Sequence, residues 1–300
     1  MSWLDLHMHS RISGDGEFAP GKMMELCQKA GVRVAAIADH NSIRGLSEAA
    51  KAAEKYAVTL IPAVELDCQH NGINLHVLGY KIDYQAHAKI FDEIEQEIFQ
   101  QEKIASVKRL QKIREMGIFI DEEKVYQLVG KDRVIEVESM VYVAMQDTRN
   151  CHHPLLQPYF PGGIRSDSPF VNFYWDYFSQ GKPSYVHVEF IRLAEAVAVI
   201  EKAGGVAILA HPGNNIGRKE TLLHEIIEAG VKGVEVYSSY HDLLTIDFYK
   251  SMTEKYKLLT TAGSDFHGRA KPSIRLGDIL VEKREQEIFT RLMEAGRRDI

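Results

Sequence analysis

Cysteine is scarce in this sequence, with three residues in 300. Cys27, Cys68 and Cys151 are odd in number, and no two of them form a Cys-x-x-Cys pair. Disulfide frameworks and cysteine-based zinc sites need paired, closely spaced cysteines. We therefore expect neither, and we expect a reducing, cytoplasmic environment.

Positive charge is not in excess, since 36 Lys and Arg against 42 Asp and Glu leave a formal net charge of −6. A general attraction for polyanions needs a basic field, so we expect no binding of duplex nucleic acid. No run approaches the roughly 18 apolar residues of a membrane helix. The first residues also lack the basic and apolar regions of a secretion signal. The sequence predicts a soluble protein with no membrane partner, and it gives no indication of the oligomeric state.

Short apolar runs alternate with segments of helical spacing along most of the chain. The predicted strands are 3–9, 32–38, 59–66, 73–82, 184–188, 206–210, 233–237 and 258–262. The predicted helices are 20–30, 42–56, 193–203 and 219–229, with an apolar helical segment before the last strand. Buried strands that alternate with helices form a largely parallel sheet, so the fold class is α/β, open or closed into a barrel.

The middle of the chain, residues 86–181, breaks this alternation. Apolar spacing from Ile94 to Ile113 predicts one long helix, and 121–129 predicts a second with Asp121 as its N-cap. Residues 150–169 are rich in Pro, Gly and Ser and predict loops, while 170–178 is strongly aromatic. We interpret 86–181 as a mostly helical insertion that covers a catalytic domain formed by residues 1–85 and 182–300.

Histidine is the unusual residue, with 13 copies, and several follow predicted strands directly. His7 and His9 end the first strand with the period of two that points both rings to one side. The other candidates at or near strand ends are Asp39, His40, Glu65, His211, Asp265 and His267. Since the carboxyl ends of parallel strands meet at one mouth, these side chains should converge. His76, inside a strand, and Asp15, in a glycine-flanked turn, fit this pattern more loosely.

Imidazole and carboxylate together suit Zn, Mn or Fe, whereas Ca and Mg favour oxygen ligands. Without Asp39, nine candidate ligands remain, which exceed the about four that one tetrahedral ion needs, so we expect two or three divalent ions. Clustered ions activate water and stabilise a leaving oxygen, which is the chemistry of phosphoester hydrolysis. The nucleophile would be a hydroxide held between the ions.

Each candidate also has an ordinary structural interpretation. The His7–His9 pair could be a satisfied strand pair, Asp39 could cap the next helix, Asp15 could be a plain turn residue, and Glu65 a solvated strand end. Repetition at successive strand ends favours the metal site. The remaining histidines lack that support and are interpreted as structural: His70, His87, His152, His153, His187, His224 and His241.

Taken in order, the motifs resemble the PHP (polymerase and histidinol phosphatase) family. They are Asp5-Leu-His-Met-His-Ser10, Ser13-Gly-Asp-Gly16, Ile37-Ala-Asp-His-Asn41, Val64-Glu65, His76, Ala210-His-Pro212 and Gly263-Ser-Asp-Phe-His-Gly268. The resemblance implies a distorted (β/α)7 barrel with a trinuclear metal centre.

The resemblance also implies how the ligands divide among three ions. One ion would be held by His7, His9, Glu65 and Asp265. A second would share Glu65 and add His76 and His211. The third would be bound by Asp15, His40 and His267. Asp39 would act behind the ligands by fixing an imidazole, so that the expected catalytic residues are His7, His9, Glu65, Asp265 and Asp39.

Within the family, the layout is similar to stand-alone phosphatases of nucleoside 3′,5′-bisphosphates and short oligonucleotides, which carry a comparable insertion. We therefore expect a small phosphorylated substrate, a nucleotide, cleaved at its 3′-phosphate. That subgroup carries an Arg-Pro-His segment, which Arg133 matches only in its arginine, so Arg133 is the candidate phosphate ligand. Alternatives are a hydrolase of histidinol phosphate or another small or cyclic phosphate, a metal-stabilised accessory module without activity, and an amidohydrolase, whose active-site lysine has no evident counterpart.

Overall fold

The computed structural model describes residues 1–131 and 133–296 and arranges them as strands and helices in alternation. The strands are β1 Leu4–Met8, β2 Val34–Ile37, β3 Thr59–Leu60, β4 Ala63–His70, β5 Ile73–Tyr80, β6 Ile191–Arg192, β7 Val206–Leu209, β8 Gly233–Ser238 and β9 Leu259–Gly263. The helices are α1 Pro20–Ala30, α2 Leu46–Tyr56, α3 Ala88–Glu115, α4 Glu122–Val129, α5 Val137–Gln146, α6 Pro169–Tyr177, α7 Leu193–Lys202, α8 Pro212–Asn215, α9 Glu220–Glu228, α10 Leu243–Tyr256 and α11 Glu285–Glu294. The predicted α/β class is confirmed.

The strands form two sheets, one in the order β1-β2-β3 and one in the order β6-β4-β5-β7-β8-β9. All neighbouring strands run parallel except that β5 is antiparallel to both β4 and β7. Two isolated parallel bridges connect the sheets, Met8 with Phe266 and His40 with Glu65. The prediction of a largely parallel sheet is therefore correct, with β5 as the exception.

Local sequence explains several element ends. Pro20 starts α1, and Gly31 ends it at φ 81° while its N–H donates to the carbonyls of Cys27 and Gln28. Pro is favoured in the first helical turn, and glycine adopts the left-handed conformation without cost. Asp121 caps α4 as predicted, because its side chain accepts a hydrogen bond from the Lys124 N–H.

Two predicted strands are wrong. Residues 59–66 are two strands in different sheets, β3 and β4, because Pro62 between them has no N–H to give to a ladder. Residues 184–188 form no strand. Their apolar side chains pack against α3, and the following Glu189 exchanges both backbone hydrogen bonds with the Gln101 side chain, at 2.9 and 3.0 Å.

The buried apolar residues form more than one cluster. The largest surrounds the strands and includes the first half of α3 through Phe91, Ile94 and Ile98. A second cluster contains the end of α3, together with α4, α5 and α6.

The sequence analysis missed the helices α5 and α11, and the aromatic stretch 170–178 is mostly the helix α6. None of the helices in the described residues combines the length and apolarity needed to span a bilayer.

Candidate metal centre

All nine predicted ligands lie together at one end of the strands, and Asp67 joins them. Their ligand atoms form four overlapping groups, each within 4.8 Å. The groups are His7, His9, Glu65 and Asp265; Glu65, His76 and His211; His9, Asp15, His40 and His267; and His40, Asp67 and His76. The side chains that the sequence analysis named are thus brought together, and Asp67 is an additional member of the groups.

Strand ends and close backbone contacts position these side chains. His7 lies on β1, and its carbonyl accepts a hydrogen bond from the Asp265 N–H at 2.8 Å just after β9. The Glu65 carbonyl accepts from the Asn41 N–H at 2.7 Å, which brings the segment after β2 against β4. A side chain at Gly263 would collide with His7 and Glu235, so the close approach of β9 to β1 requires glycine there.

His76 reaches the cluster although it does not follow the end of a strand. It lies opposite Asp67 in the β4–β5 ladder. Because β5 runs antiparallel to its neighbours, its first half lies near the carboxyl end of β4. Strand direction therefore explains why His76 departs from the strand-end pattern.

Glu65 is the centre of the cluster and is fully buried. Its Oε2 lies 3.1 Å from Nε2 of both His7 and His9. Its Oε1 lies 3.0 Å from His76 Nδ1 and 3.2 Å from His211 Nε2. One carboxylate therefore faces two separate pairs of imidazoles, which is the geometry of a bridging ligand.

Asp265 also divides its two oxygens. Oδ1 lies 3.4 and 3.1 Å from Nε2 of His7 and His9. Oδ2 accepts short hydrogen bonds, both 2.6 Å, from the Tyr240 hydroxyl and the Lys271 amine. Asp265 is held at φ 56°, a conformation that costs free energy for a residue with a side chain and is tolerated where the surroundings enforce it.

The third group is more open. His267 Nε2 lies 2.9 Å from Asp15 Oδ2, while His40 Nε2 lies 4.0 Å from the same oxygen. His267 is fully buried, whereas Asp15 and His40 are partly exposed. Solvent and a ligand can therefore reach the cluster at this group, and also at His76 and Asp67, whose side chains are partly exposed.

Four imidazoles are fixed from behind by hydrogen bonds of Nδ1 to acceptor atoms that are not among the ligand atoms of the cluster. Nδ1 of His7 donates to Glu235 at 3.0 Å, and Nδ1 of His211 donates to Asn215 at 2.9 Å. Nδ1 of His267 donates to the Asp265 carbonyl at 2.8 Å. These bonds assign the proton to Nδ1 and leave the Nε2 lone pair facing the cluster, as in histidine ligands of metals.

His9 is the fourth, and Asp39 acts through it. Ser13 Oγ accepts from the His40 N–H at 2.9 Å and donates to Asp39 at 3.1 Å. Its one proton is thereby used, so it accepts from His9 Nδ1 at 3.1 Å. Asp39 thus positions the ring of His9 through Ser13 rather than that of its neighbour His40. It does not cap a helix, since α2 begins only at Leu46.

The cluster meets two requirements of a metal centre. Asp15 Oδ1, His40 Nδ1, Asp67 Oδ1 and His267 Nε2 are buried without a hydrogen-bond partner among the described residues. Such atoms are costly unless another ligand satisfies them. The donor set, six imidazoles and four carboxylates, is the kind that Zn, Mn or Fe takes. The residues present therefore fit divalent transition-metal ions.

The charges in the cluster keep its carboxylates ionised. Burial acts to raise the pKa of Glu65, but the imidazoles of His7, His40 and His76 hold that pKa well below its usual range. Burial likewise opposes ionisation of Asp265, and Lys271 with neighbouring imidazoles holds its pKa well below the usual range. An ionised carboxylate is the form that ligates metal.

Four residues at the centre were missed by the sequence reasoning. Asp67 had a signal, because it follows Glu65 by two residues on β4 and so points to the same face. Glu235 also had one, as a lone acid in the fully buried strand β8. Tyr240 and Lys271 lie outside the strands, where no periodicity marks a functional side chain.

Outside the ligand groups lie two histidines that were interpreted as structural and the candidate phosphate ligand Arg133. His241 bonds the Val236 carbonyl and the Gly213 N–H and is structural, and His187 is exposed beside Tyr185. Arg133 reaches the loop before Asp15, where its guanidinium donates to the carbonyls of Arg11 and Ser13. It lies at the rim of the cluster.

Comparison with known proteins identifies the family. The sequence profile of the PHP domain family matches residues 5–177, which is more than half of the chain. This chain belongs to the PHP domain family. The predicted family is therefore confirmed, and so is the predicted enzyme class, a hydrolase of this type.

Several characterised relatives align over most of their own length. A 3′,5′-nucleoside bisphosphate phosphatase of Chromobacterium violaceum is 29% identical over 89% of this chain and 88% of the relative. A phosphoribosyl 1,2-cyclic phosphate 1,2-diphosphodiesterase of Eggerthella lenta is 25% identical over 88% and 94%. A 5′-3′ exoribonuclease of Haemophilus influenzae is 27% identical over 88% and 89%.

A solved structure has the same fold. The crystal structure of a candidate metal-dependent phosphoesterase of Bifidobacterium adolescentis superposes with a TM-score of 0.74 at 23% identity. The alignment covers 97% of this chain and 95% of that one. At this identity the likeness concerns the fold alone.

Proposed function

We propose that this protein is a metal-dependent phosphoesterase that removes the 3′-phosphate of nucleoside 3′,5′-bisphosphates or short oligonucleotides. One observation carries the proposal. Glu65, fully buried, faces His7 and His9 with one oxygen and His76 and His211 with the other, all within 3.2 Å. A bridged cluster of divalent ions is the arrangement that enzymes use for in-line displacement at phosphorus.

The proposed ligands divide among three ions. His7, His9, Glu65 and Asp265 would hold the first, and Glu65, His76 and His211 the second. Asp15, His40 and His267 would hold the third, with His9 also in reach. Asp67 lies between His40 and His76 at 3.2 and 3.4 Å and is a further candidate. Manganese, zinc and iron all suit this donor set.

When bound, such ions polarise phosphoryl oxygens and lower the pKa of water into the neutral range. The residues of the chain hold the geometry in which this chemistry occurs. Lys271 and Tyr240 hold Asp265 in place through hydrogen bonds to its Oδ2. Glu235 orients the ring of His7, and Asn215 orients the ring of His211. Asp39 does the same for His9 through Ser13.

We propose that the strands close into the (β/α)7 barrel implied by the family. The two bridges between the sheets support this, since they connect β1 with the residues after β9 and the residues after β2 with β4. The separate apolar cluster of α4, α5, α6 and the end of α3 supports the division into a catalytic domain and a helical insertion at 86–181.

The identity of the substrate is supported by the relatives. One is named as a phosphatase of nucleoside bisphosphates and another as an exoribonuclease. Both names favour a nucleotide as the substrate. Arg133, at the rim beside Asp15, is the proposed contact for a substrate phosphate. The Eggerthella relative is named for a cyclic phosphate of ribose and favours a second candidate, a cyclic phosphate without a base.

A substrate panel tests the proposal. The Mn-loaded protein is assayed with adenosine 3′,5′-bisphosphate, a short RNA, a phosphoribosyl cyclic phosphate and histidinol phosphate. We expect release of phosphate from the bisphosphate at the highest kcat/KM. Turnover of the cyclic phosphate alone would favour the second candidate, and no turnover of any ester by metal-loaded protein would favour the accessory module.

A further inference from the structure

A cavity of about 370 Å³ lies beside the metal cluster. Its walls come from α6 and the segment before it, and from the segments after β7, β8 and β9. The side chains that line it include Arg165, Asn172, Trp175, Asn214, Ser239 and Tyr240. The volume lies in the range of pockets that hold small ligands.

Tyr240 is a wall shared by the cavity and the cluster. Its hydroxyl donates to Asp265 Oδ2 at 2.6 Å, and its ring meets the His211 ring edge-on at 5.9 Å. A ligand whose phosphate lies at the cluster would therefore extend directly into the cavity.

Arg165, the cation among the residues that line the cavity, is already paired. Arg165 makes a two-bond ion pair with Asp176 at 2.9 and 3.0 Å, and Asp176 also accepts from the Tyr159 hydroxyl at 2.7 Å. Asp167 accepts a hydrogen bond from Asn172 at 2.9 Å. Because no cation is left uncompensated, the cavity suits a neutral group better than a second phosphate.

Flat and neutral polar groups remain available for a ligand. Trp175 is half-buried, and its indole N–H has no partner among the described residues. The side chains of Asn214 and Ser239 likewise make no hydrogen bond within 1–131 and 133–296. Asn172 uses its amide N–H groups on Arg165 and Asp167, which leaves its carbonyl oxygen. A flat ring with neutral donors and acceptors at its edge is the ligand that such a surface recognises.

The cavity is held in shape before a ligand arrives. Ser168 and Ser273 share a hydrogen bond of 2.5 Å, which joins the segment before α6 to the segment after β9. The bonds of Asn172 to the Arg165 carbonyl and Asp167 fix the end of the loop 150–169. That loop therefore has a defined place as a wall of the cavity.

We propose that this cavity binds the nucleobase of the nucleotide whose phosphate ester is cleaved at the cluster. The inference rests on the proposed phosphoesterase function and deepens it. It makes the base a recognised part of the substrate and predicts discrimination against sugar phosphates that lack one. Trp175 supplies the stacking surface, and Asn172, Asn214 and Ser239 contact the edge of the base.

Tryptophan fluorescence tests the binding directly. The sequence has two tryptophans, Trp3 and Trp175, so Trp3→Phe leaves Trp175 as the sole reporter. In the metal-loaded protein, adenosine 5′-monophosphate should change the emission saturably, whereas ribose 5-phosphate should not. Equal signals from both, or none from a nucleotide that competes with substrate, would overturn the inference.

Kinetics give an independent test. The quantity measured is the ratio of kcat/KM for adenosine 3′,5′-bisphosphate to that for its abasic analogue. Trp175→Ala should lower this ratio about tenfold, as expected for loss of one base–aromatic stack, and Trp175→Phe should restore most of it. Asn214→Ala should lower it less and does not threaten folding, because that side chain bonds nothing within the described chain. Ile164 lies on the loop 150–169 and is 91% exposed. Ile164→Ala is therefore the control, and it should leave the ratio unchanged.

The phosphoesterase function and the binding of the base in the cavity can be disproved separately. If the metal-loaded protein hydrolyses neither the bisphosphate nor its abasic analogue, the proposed phosphoesterase function is wrong. If it hydrolyses both with equal kcat/KM, and Trp175→Ala leaves the ratio at one, the base cavity is wrong while the phosphoesterase stands.

Discussion

The metal cluster and the base cavity meet at Tyr240 and are built in opposite ways. The cluster is assembled on and just after strands, and Glu65, His7, His9 and His267 are fully inaccessible to solvent. The cavity is assembled from α6, a loop and three strand-to-helix segments, and its polar side chains are only partly bonded. Charge is concentrated in the cluster, whereas Arg165 in the cavity is paired with Asp176. We therefore propose that the chemistry belongs to the cluster on the strands and substrate choice to the cavity formed by the loops.

The largest expected effects come from breaking the cluster. His9→Ala and Asp265→Ala should each abolish hydrolysis. Glu65→Gln should lower kcat by about a thousandfold or more, because the carboxylate proposed to bridge two ions would be lost. Circular dichroism and thermal unfolding check that the fold persists. His152→Ala, an exposed histidine, is the matched control. Full activity in any of the three variants would refute the proposed centre.

Lys271→Met tests the residues that support the cluster. The buried amine pairs with Asp265 at 2.6 Å, and loss of a group behind a metal ligand typically costs 10- to 100-fold in activity or metal affinity. We expect a loss of about this size, seen as a higher manganese concentration for half-maximal activity. Lys255→Met removes an exposed pair with Glu220 and should change little. An unchanged metal requirement in Lys271→Met would contradict the role.

Arg133→Ala probes the rim of the cluster beside Asp15. We expect KM for the bisphosphate to rise about tenfold with kcat nearly unchanged, because a phosphate contact is lost. Arg133→Lys should not restore KM, since lysine lacks the planar fork. Arg149→Ala, an exposed arginine paired with Asp147, is the control. An unchanged KM would contradict the proposed phosphate contact and leave Arg133 with only its hydrogen bonds to the carbonyls of Arg11 and Ser13.

The smallest effect concerns Glu138 on α5. Burial, with the charge of Asp15, raises its pKa to about 7. A carboxyl whose pKa is higher in the folded than in the unfolded state destabilises the fold as pH rises from about 4.5 through 7. In metal-free protein, Glu138→Gln should therefore raise Tm by about 2 °C or more at pH 8 and leave it unchanged near pH 4. Thermal unfolding at both pH values checks this, with the exposed Glu123→Gln as control; a rise at pH 4 alone would contradict the sign.

Much of the cluster could be predicted from sequence because strand ends carry their own signals. A run of buried residues followed by His or Asp specifies both the element and the position of the side chain, as at Asp265 after β9. His76 was less clear, because nothing in its local sequence says that β5 is antiparallel. Asp67 was overlooked although its spacing from Glu65 was visible.

The cavity could not be predicted, because it depends on how distant segments pack. Trp175, Asn214 and Tyr240 come from α6 and from the segments after β7 and β8, which lie far apart in the sequence. The hydrogen bond of Ser168 with Ser273 adds the segment after β9, and neither serine has a distinctive neighbourhood in the sequence. The wrong strand at 184–188 has a similar cause. Its pattern was apolar because Val186 and Val188 pack against Ala105 of α3. The Gln101 side chain takes both backbone hydrogen bonds of Glu189, directly after this segment.

Metal content, measured together with phosphoester hydrolysis, tests the central claim most directly. Purified protein is stripped with a chelator and titrated with manganese while bound metal is quantified by elemental analysis and turnover of adenosine 3′,5′-bisphosphate is followed. We expect about two or three ions per chain, activity that appears only as they bind, and a parallel loss of both in Glu65→Gln. Hydrolysis by metal-free protein, or full occupancy and turnover in Glu65→Gln, would contradict the account.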